Sequence, residues 1–131
     1  MAGRASSTFT EVELEFMQII WAKGEASTED LRNALNENNR NLPDGAIRKI
    51  LSILMKKAHL KRRPQGRFFI YSAKIPEEQA HKKMILDLLG RAFNDSVSTM
   101  FATLINSRNI SSDEMLKIKE FIAEHEKEGK K

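Results

Sequence analysis

The residues best able to do chemistry in this chain are cations, and they are clustered. Between Asp44 and Tyr71 lie eight of its 22 Lys and Arg residues: Arg48, Lys49, Lys56, Lys57, Lys61, Arg62, Arg63 and Arg67. Asp44 is the one acid of this run, which therefore carries +7, while the remainder of the 131-residue chain sums to −3 and the whole to +4. The chemistry that suits such a cluster is grip on a polyanion, because several bases within reach of one phosphate strand release its condensed counterions together. An overall +4 decides little by itself; its concentration in one stretch is the stronger signal.

The elements that must position these cations follow from periodicity. At 100° per residue, Gly45, Arg48, Lys49, Ser52 and Lys56 share one arc of a helix, and Ile47, Ile50, Leu51, Leu54 and Ala58 fall on the opposite side. One face packs and the other is free to read. Asp44 is the expected N-cap, with Pro43 biasing Leu42 towards an extended conformation, so the helix opens on the small residues Gly45 and Ala46. After Leu60 the pattern becomes Lys61-Arg62-Arg63, Pro64-Gln65-Gly66 and Arg67-Phe68-Phe69-Ile70-Tyr71, a strand, a turn and a β-rich strand. A basic helix face followed directly by a basic hairpin is what a winged helix-turn-helix requires.

Within this arrangement Arg48 and Lys49, near the helix N-terminus, are the candidates for base edges. Lys56, Lys61, Arg62, Arg63 and Arg67 are the candidates for phosphates, and Gly45, Ala46 and Ser52 complete the candidate surface. The bland alternative is a solvated helix face, with Arg67 lying structurally against the helix. Phe68, Phe69 and Tyr71 could stack on single-stranded bases, but alternating residues of a short strand are more often core, which is the expectation for at least one of Phe68 and Phe69.

Before the basic run, Thr10 and Glu13 have capping-box spacing, and Phe9 and Leu14 can close a hydrophobic staple. Leu14, Phe16, Met17, Ile20 and Trp21 give this first helix a wide apolar face, and Lys23-Gly24 stops it. Ser27 to Asp30 starts a second, short helix through Leu31, Ala34 and Leu35. After the run, Pro76-Glu77-Glu78 opens a third region of three amphipathic helices. Their stripes are Met84, Ile85, Leu88 and Leu89; then Val97, Met100, Phe101, Leu104 and Ile105, after a cap at Asp95 or Ser96; then Met115, Ile118, Phe121 and Ile122, after Ser111 to Glu114. About fifty residues in three helices are too few to bury such stripes within one chain, so a partner surface is expected. A second copy on a two-fold axis is the economical one.

Composition narrows the remaining possibilities. At 40% hydrophobic the chain can build one ordinary core or two small ones. It has no cysteine, which excludes disulfides, thiolate metal sites and cysteine nucleophiles. His59, His81 and His125 have no ligand spacing, and no nucleophile–base pair or phosphate-cradling glycine loop is present, so neither a metal, a cofactor nor an enzyme is expected. No apolar leader or membrane-length segment is evident, and a cytoplasmic location is expected.

The run Phe9-Thr10-Glu11-Val12-Glu13-Leu14-Glu15-Phe16-Met17-Gln18-Ile19-Ile20-Trp21 resembles the opening L-T-x-x-E-x-x-V-M-x-x-x-W of the bacterial penicillinase-repressor (BlaI/MecI/CopY) family. The likeness continues through Ile47 to Leu60, through Gly66-Arg67-Phe68-Phe69-Ile70-Tyr71, similar to the family's G-R-x-x-x-Y, and through Glu77-Glu78-Gln79-Ala80. It implies a dimeric repressor whose winged helix binds double-stranded operator DNA with inverted repeats and whose C-terminal helices dimerise. The family's Thr-Thr pair and a further Thr correspond here to Gly45, Ala46 and Lys49, and its helix-ending Lys-Gly to Lys57-Ala58. The Asn-Phe bond cut in antibiotic-sensing members aligns with Thr103-Leu104, and the cysteines of copper-responsive members are absent.

The expected architecture is therefore mainly α with a small β-hairpin wing. A tail over 1–8 precedes a winged helix over 9–74, a helical dimerisation domain over 75–127 and a tail over 128–131. The competing function is a winged-helix interaction module that joins a protein complex without reading DNA.

Overall fold

The computed structural model describes residues 9–129, so the expected N-terminal tail lies outside the described residues. Six helices and three strands follow one another as α1 (Glu11–Lys23), β1 (Glu25–Ser27), α2 (Thr28–Glu37), α3 (Asp44–Lys56), β2 (Leu60–Gln65), β3 (Phe68–Ala73), α4 (Glu77–Phe93), α5 (Val97–Ser107) and α6 (Ser112–Gly129). The fold is mainly helical with a small antiparallel sheet, as the sequence implied. The last helix runs past residue 128, where the C-terminal tail was expected to begin.

Local chemistry sets the helix starts. Thr10 and Glu13 form a complete capping box on α1, and Ser27 and Asp30 form another on α2. Ser96 caps α5, its hydroxyl accepting from the Thr99 N–H. The Phe9 ring packs on Trp21 and His59, at centroid distances of 6.2 and 4.4 Å. The expected Asp44 cap is also corrected. Pro43 occupies the cap position without a side-chain bond, and Asp44, already helical, turns its carboxylate to Arg32 of α2 at 2.8 Å. A cation twelve residues upstream outcompetes the local backbone for that carboxylate.

Two helices end in the same backbone motif. At the close of α2 the Arg40 N–H donates to Leu35 O and the Asn39 N–H to Asn36 O, with Asn39 at φ +62°. At the close of α3 the His59 N–H donates to Leu54 O and the Ala58 N–H to Met55 O, with Ala58 at φ +65°. These are Schellman closures, and the left-handed residue in them is ordinarily Gly or Asn. Ala58 holds that position with a Cβ that disfavours it.

The chain divides into two compact units, Met1–Asp87 and Leu88–Lys131. In the first, Phe16, Met17 and Ile20 of α1, Leu31 and Leu35 of α2, and Ile47, Leu51 and Leu54 of α3 close on Ala26, Leu60 and Tyr71 of the sheet. Ile75 and Ala80 belong to the same core, so this unit extends into α4 beyond the expected boundary at residue 75. The Trp21 Nε1–H donates to Ile75 O at 3.0 Å, which makes Trp21 a packing residue with its polar edge satisfied.

Strand β1, too short to leave a pattern in the sequence, pairs with β3, giving the order β1-β3-β2. It stops opposite Ile70, so from Phe69 outward the hairpin is two-stranded. Gly66 turns it at φ +63°, with Gln65 paired to Phe68 across a two-residue loop. β2 is an edge strand, where Lys61, Arg62, Arg63 and Pro64 also discourage addition of a further strand.

The second unit contains α5 and α6, neither of which has a buried residue. Leu88, Val97, Phe101, Leu104, Leu116, Phe121 and Ile122 are all exposed large apolar side chains. Among the described residues no helix is long and apolar enough to cross a membrane, and no group of His, Asp or Glu could hold a metal ion.

Candidate nucleic-acid interface

Helix α3 buries Ile47, Leu51 and Leu54 and leaves Gly45, Arg48, Lys49, Ser52 and Lys56 exposed, with Ala46 half-buried. The expected division into a packed and a free face is present within α3, but Ala58, expected on the packed side, lies beyond the helix end and is exposed. At Gly45 a built Cβ would meet nothing within 4 Å. Packing therefore does not demand glycine there, although glycine costs a helix roughly 0.5–1 kcal/mol relative to alanine. What the missing side chain provides is close access to the first turn from outside.

An open groove of about 1010 Å³ runs between this face and the hairpin. Arg48, Ser52 and Lys56 form its helical side, and Arg62, Gln65, Arg67 and Phe68 its hairpin side. Five of the sequence-predicted residues thus line one concavity. Gly45, Ala46, Lys49, Lys61 and Arg63 lie outside its lining, the first three on α3 and the last two on β2. Thr28, Glu29, Asp30 and Arg32 of α2 also line it, so two acids stand among its basic residues.

The cations differ in freedom. The Arg62 guanidinium lies 3.9 Å from the centroid of the Phe69 ring, which fixes it on the hairpin. Arg63 donates to Glu25 and to Gln65, both at 2.9 Å, bracing β2 to β1. Lys57 turns inward to Glu13 at 2.9 Å and is largely covered. It was counted in the basic run, but its ammonium serves the junction of α1 and α3. Asp44, the single acid of the run, is paired with Arg32.

Sequence reasoning missed the two phenylalanines. Phe69 is 40% and Phe68 68% exposed, which corrects the expectation that at least one of them is core. Alternation places Phe69 on the face that carries Tyr71, but at the overhanging end, where Arg62 covers it instead of the core. The nearby Gly66 turn was the available signal, since it puts both residues at the tip.

His59, in the link between α3 and β2, is 4% exposed, with no hydrogen-bond partner at Nε2. Burial, reinforced by the charges of Lys57 and Lys83 and opposed by Glu13, lowers its pKa below the usual histidine value.

Comparison with known proteins agrees with this geometry. The family model described as penicillinase repressor matches residues 9–124. The penicillinase repressor of Bacillus licheniformis is 25% identical over 121 residues, covering 92% of this chain and 94% of the relative. An uncharacterised 16.5 kDa protein from the ptsI 3′ region of Latilactobacillus sakei is 27% identical over 117 residues, covering 89% and 80%. Among solved structures, the DNA-binding domain of the repressor BlaI superposes with a TM-score of 0.51 at 26% identity, covering 58% of this chain and 92% of that one.

Proposed function

The chain belongs to the penicillinase-repressor family, and from that premise we propose that it is a sequence-specific DNA-binding transcriptional repressor, acting as a homodimer on an inverted-repeat operator. The observation that carries this reading is the shared groove: exposed cations of α3 and of the hairpin border one concavity of about 1010 Å³, where a polyanion strand would meet both. Helix α3 enters the major groove with its open first turn leading. Arg48 and Lys49 meet base edges, where Arg has the bidentate geometry that suits guanine. Lys56, Lys61, Arg62 and Arg67 meet phosphates and set register. Arg63 contributes from its brace on Glu25, as a partly neutralised cation.

The dimer follows from the second unit. Helices without a buried residue and with exposed Val97, Leu104, Phe121 and Ile122 are satisfied by a second copy, and an isologous contact covers both sets at once. Leu89, Met100, Ile105, Met115 and Ile118 complete those stripes, and Met84 and Ile85, which belong to the first unit, are assigned to dimerisation as well. Two copies present two α3 helices to half-sites about 34 Å apart, one turn of DNA. A cytoplasmic location accords with this role.

The test is selection of duplexes from a random pool by the purified protein at about 150 mM salt, near physiological ionic strength, with an Arg48→Ala/Lys49→Ala variant alongside. Both side chains are exposed, so the variant retains the fold. Recovery of an inverted repeat by the wild type only is expected. Recovery of no motif by the wild type would favour the protein-interaction module, whose binding barely responds to salt.

A further inference from the structure

We propose that Phe68 is an apolar wedge that enters the minor groove beside the site read by α3 and partly unstacks one base step there. The inference rests on the DNA-binding reading and deepens it: it assigns a second, shape-dependent means of specificity to a residue the charge argument passes over.

Phe68 is the most exposed aromatic of the hairpin, at 68%. It cannot be returned to the core by a rotamer change, because strand alternation sets it on the face opposite Tyr71, and β1 ends at Ile70 before reaching it. Its neighbour Phe69 is covered by Arg62; no ring or cation stacks on Phe68 among the described residues. Within the ladder it faces Gln65 and directly follows the Gly66-Arg67 turn, so it stands at the outermost rung of a narrow two-stranded arm. Such a position, flanked by Arg67 and across the groove from Arg48 and Lys56, suits a polyanionic partner.

Geometry selects the minor groove. The concavity separates the reading face of α3 from the hairpin tip. With α3 in the major groove, the backbone strand lies in that concavity, and the next feature across one backbone strand from a major groove is a minor groove. The tip then delivers Arg67, whose guanidinium suits a narrow, electronegative minor groove, and Phe68, whose ring suits partial insertion between base pairs. Pyrimidine–purine steps unstack most easily, so such a step is favoured on each outer flank of the operator, at positions where no hydrogen bond reads the base.

The experiment uses the full chain and the duplex recovered from the random pool, with 2-aminopurine placed at successive steps outside each half-site. A fluorescence rise at one step on wild-type binding is expected. Phe68→Ala should lose the rise and bind about tenfold more weakly with an unchanged salt slope, and Phe68→Leu should keep both. Since Phe68 is exposed, neither change threatens the fold. A wild type that retains the duplex without unstacking any step overturns the wedge alone, as does a Phe68→Ala variant that matches wild type or that changes the oligomeric state instead. A wild type that retains no duplex at any sequence removes the DNA-binding reading, and the wedge with it.

Discussion

The two compact units distribute their side chains in opposite ways. In the first, thirteen apolar residues are enclosed and most cations, Lys57 excepted, face outward; in the second, helices α5 and α6 enclose nothing and face outward with Val97, Phe101, Leu104, Leu116, Phe121 and Ile122. Both stretches have regular amphipathic periodicity, so pattern alone does not produce a core. The difference is that the first unit has three helices and a sheet that close on a common core, whereas the second has too few elements to cover any face. Its apolar stripes remain exposed on the single chain.

The largest effect that would separate the two kinds of stability comes from Phe16, fully buried in α1. Phe16→Ala should lower the unfolding free energy by about 4 kcal/mol, at every protein concentration, in urea titrations followed by circular dichroism. Next is Phe121, 72% exposed on α6. Phe121→Asp should leave a folded winged helix but weaken self-association by roughly a hundredfold, about 3 kcal/mol, because a two-fold contact counts each loss twice. Sedimentation equilibrium reads this directly, and an unchanged dissociation constant would break the comparison.

A smaller gain is expected at the end of α3. Ala58 is exposed and left-handed, so glycine there loses no packing and relieves the Cβ strain. Ala58→Gly should raise the melting free energy of the first unit by about 1 kcal/mol. The equivalent closure of α2 already has Asn39 and should gain little from the same change.

The smallest effect is acid sensitivity, confined to the first unit by His59. Its folded pKa lies below the unfolded value of 6.5, so over that interval the unfolded chain binds the extra proton. Stability from this residue is therefore full above about pH 6.5, falls as the pH drops below it, and levels off beneath the folded pKa. His59→Phe should flatten the change in unfolding midpoint between pH 7.5 and 5.5.

What the sequence made legible was whatever neighbours decide. Thr10 with Glu13 and Ser27 with Asp30 form their boxes three residues apart, and α3 separates its faces by periodicity alone. What escaped depends on distant partners. Strand β1 exists because β3, more than forty positions later, offers it a ladder. Asp44 is drawn from the cap position by Arg32, Lys57 is drawn inward by Glu13, and Phe68 and Phe69 lie beyond the end of the third strand. Within the candidate site, the cations could be named from the sequence; which of them were already engaged could not.

Only three residues, Lys57 to His59, join α3 to β2, and all three of their N–H groups close back onto the helix. Helix α3 and the basic arm are thus held like the fixed jaws of a caliper, with a gap set by the backbone that joins them. Side chains at 48, 49, 52, 67 or 68 are all exposed and can be exchanged one at a time without recalibrating the instrument. Lengthening the joint by even one residue would discard the scale.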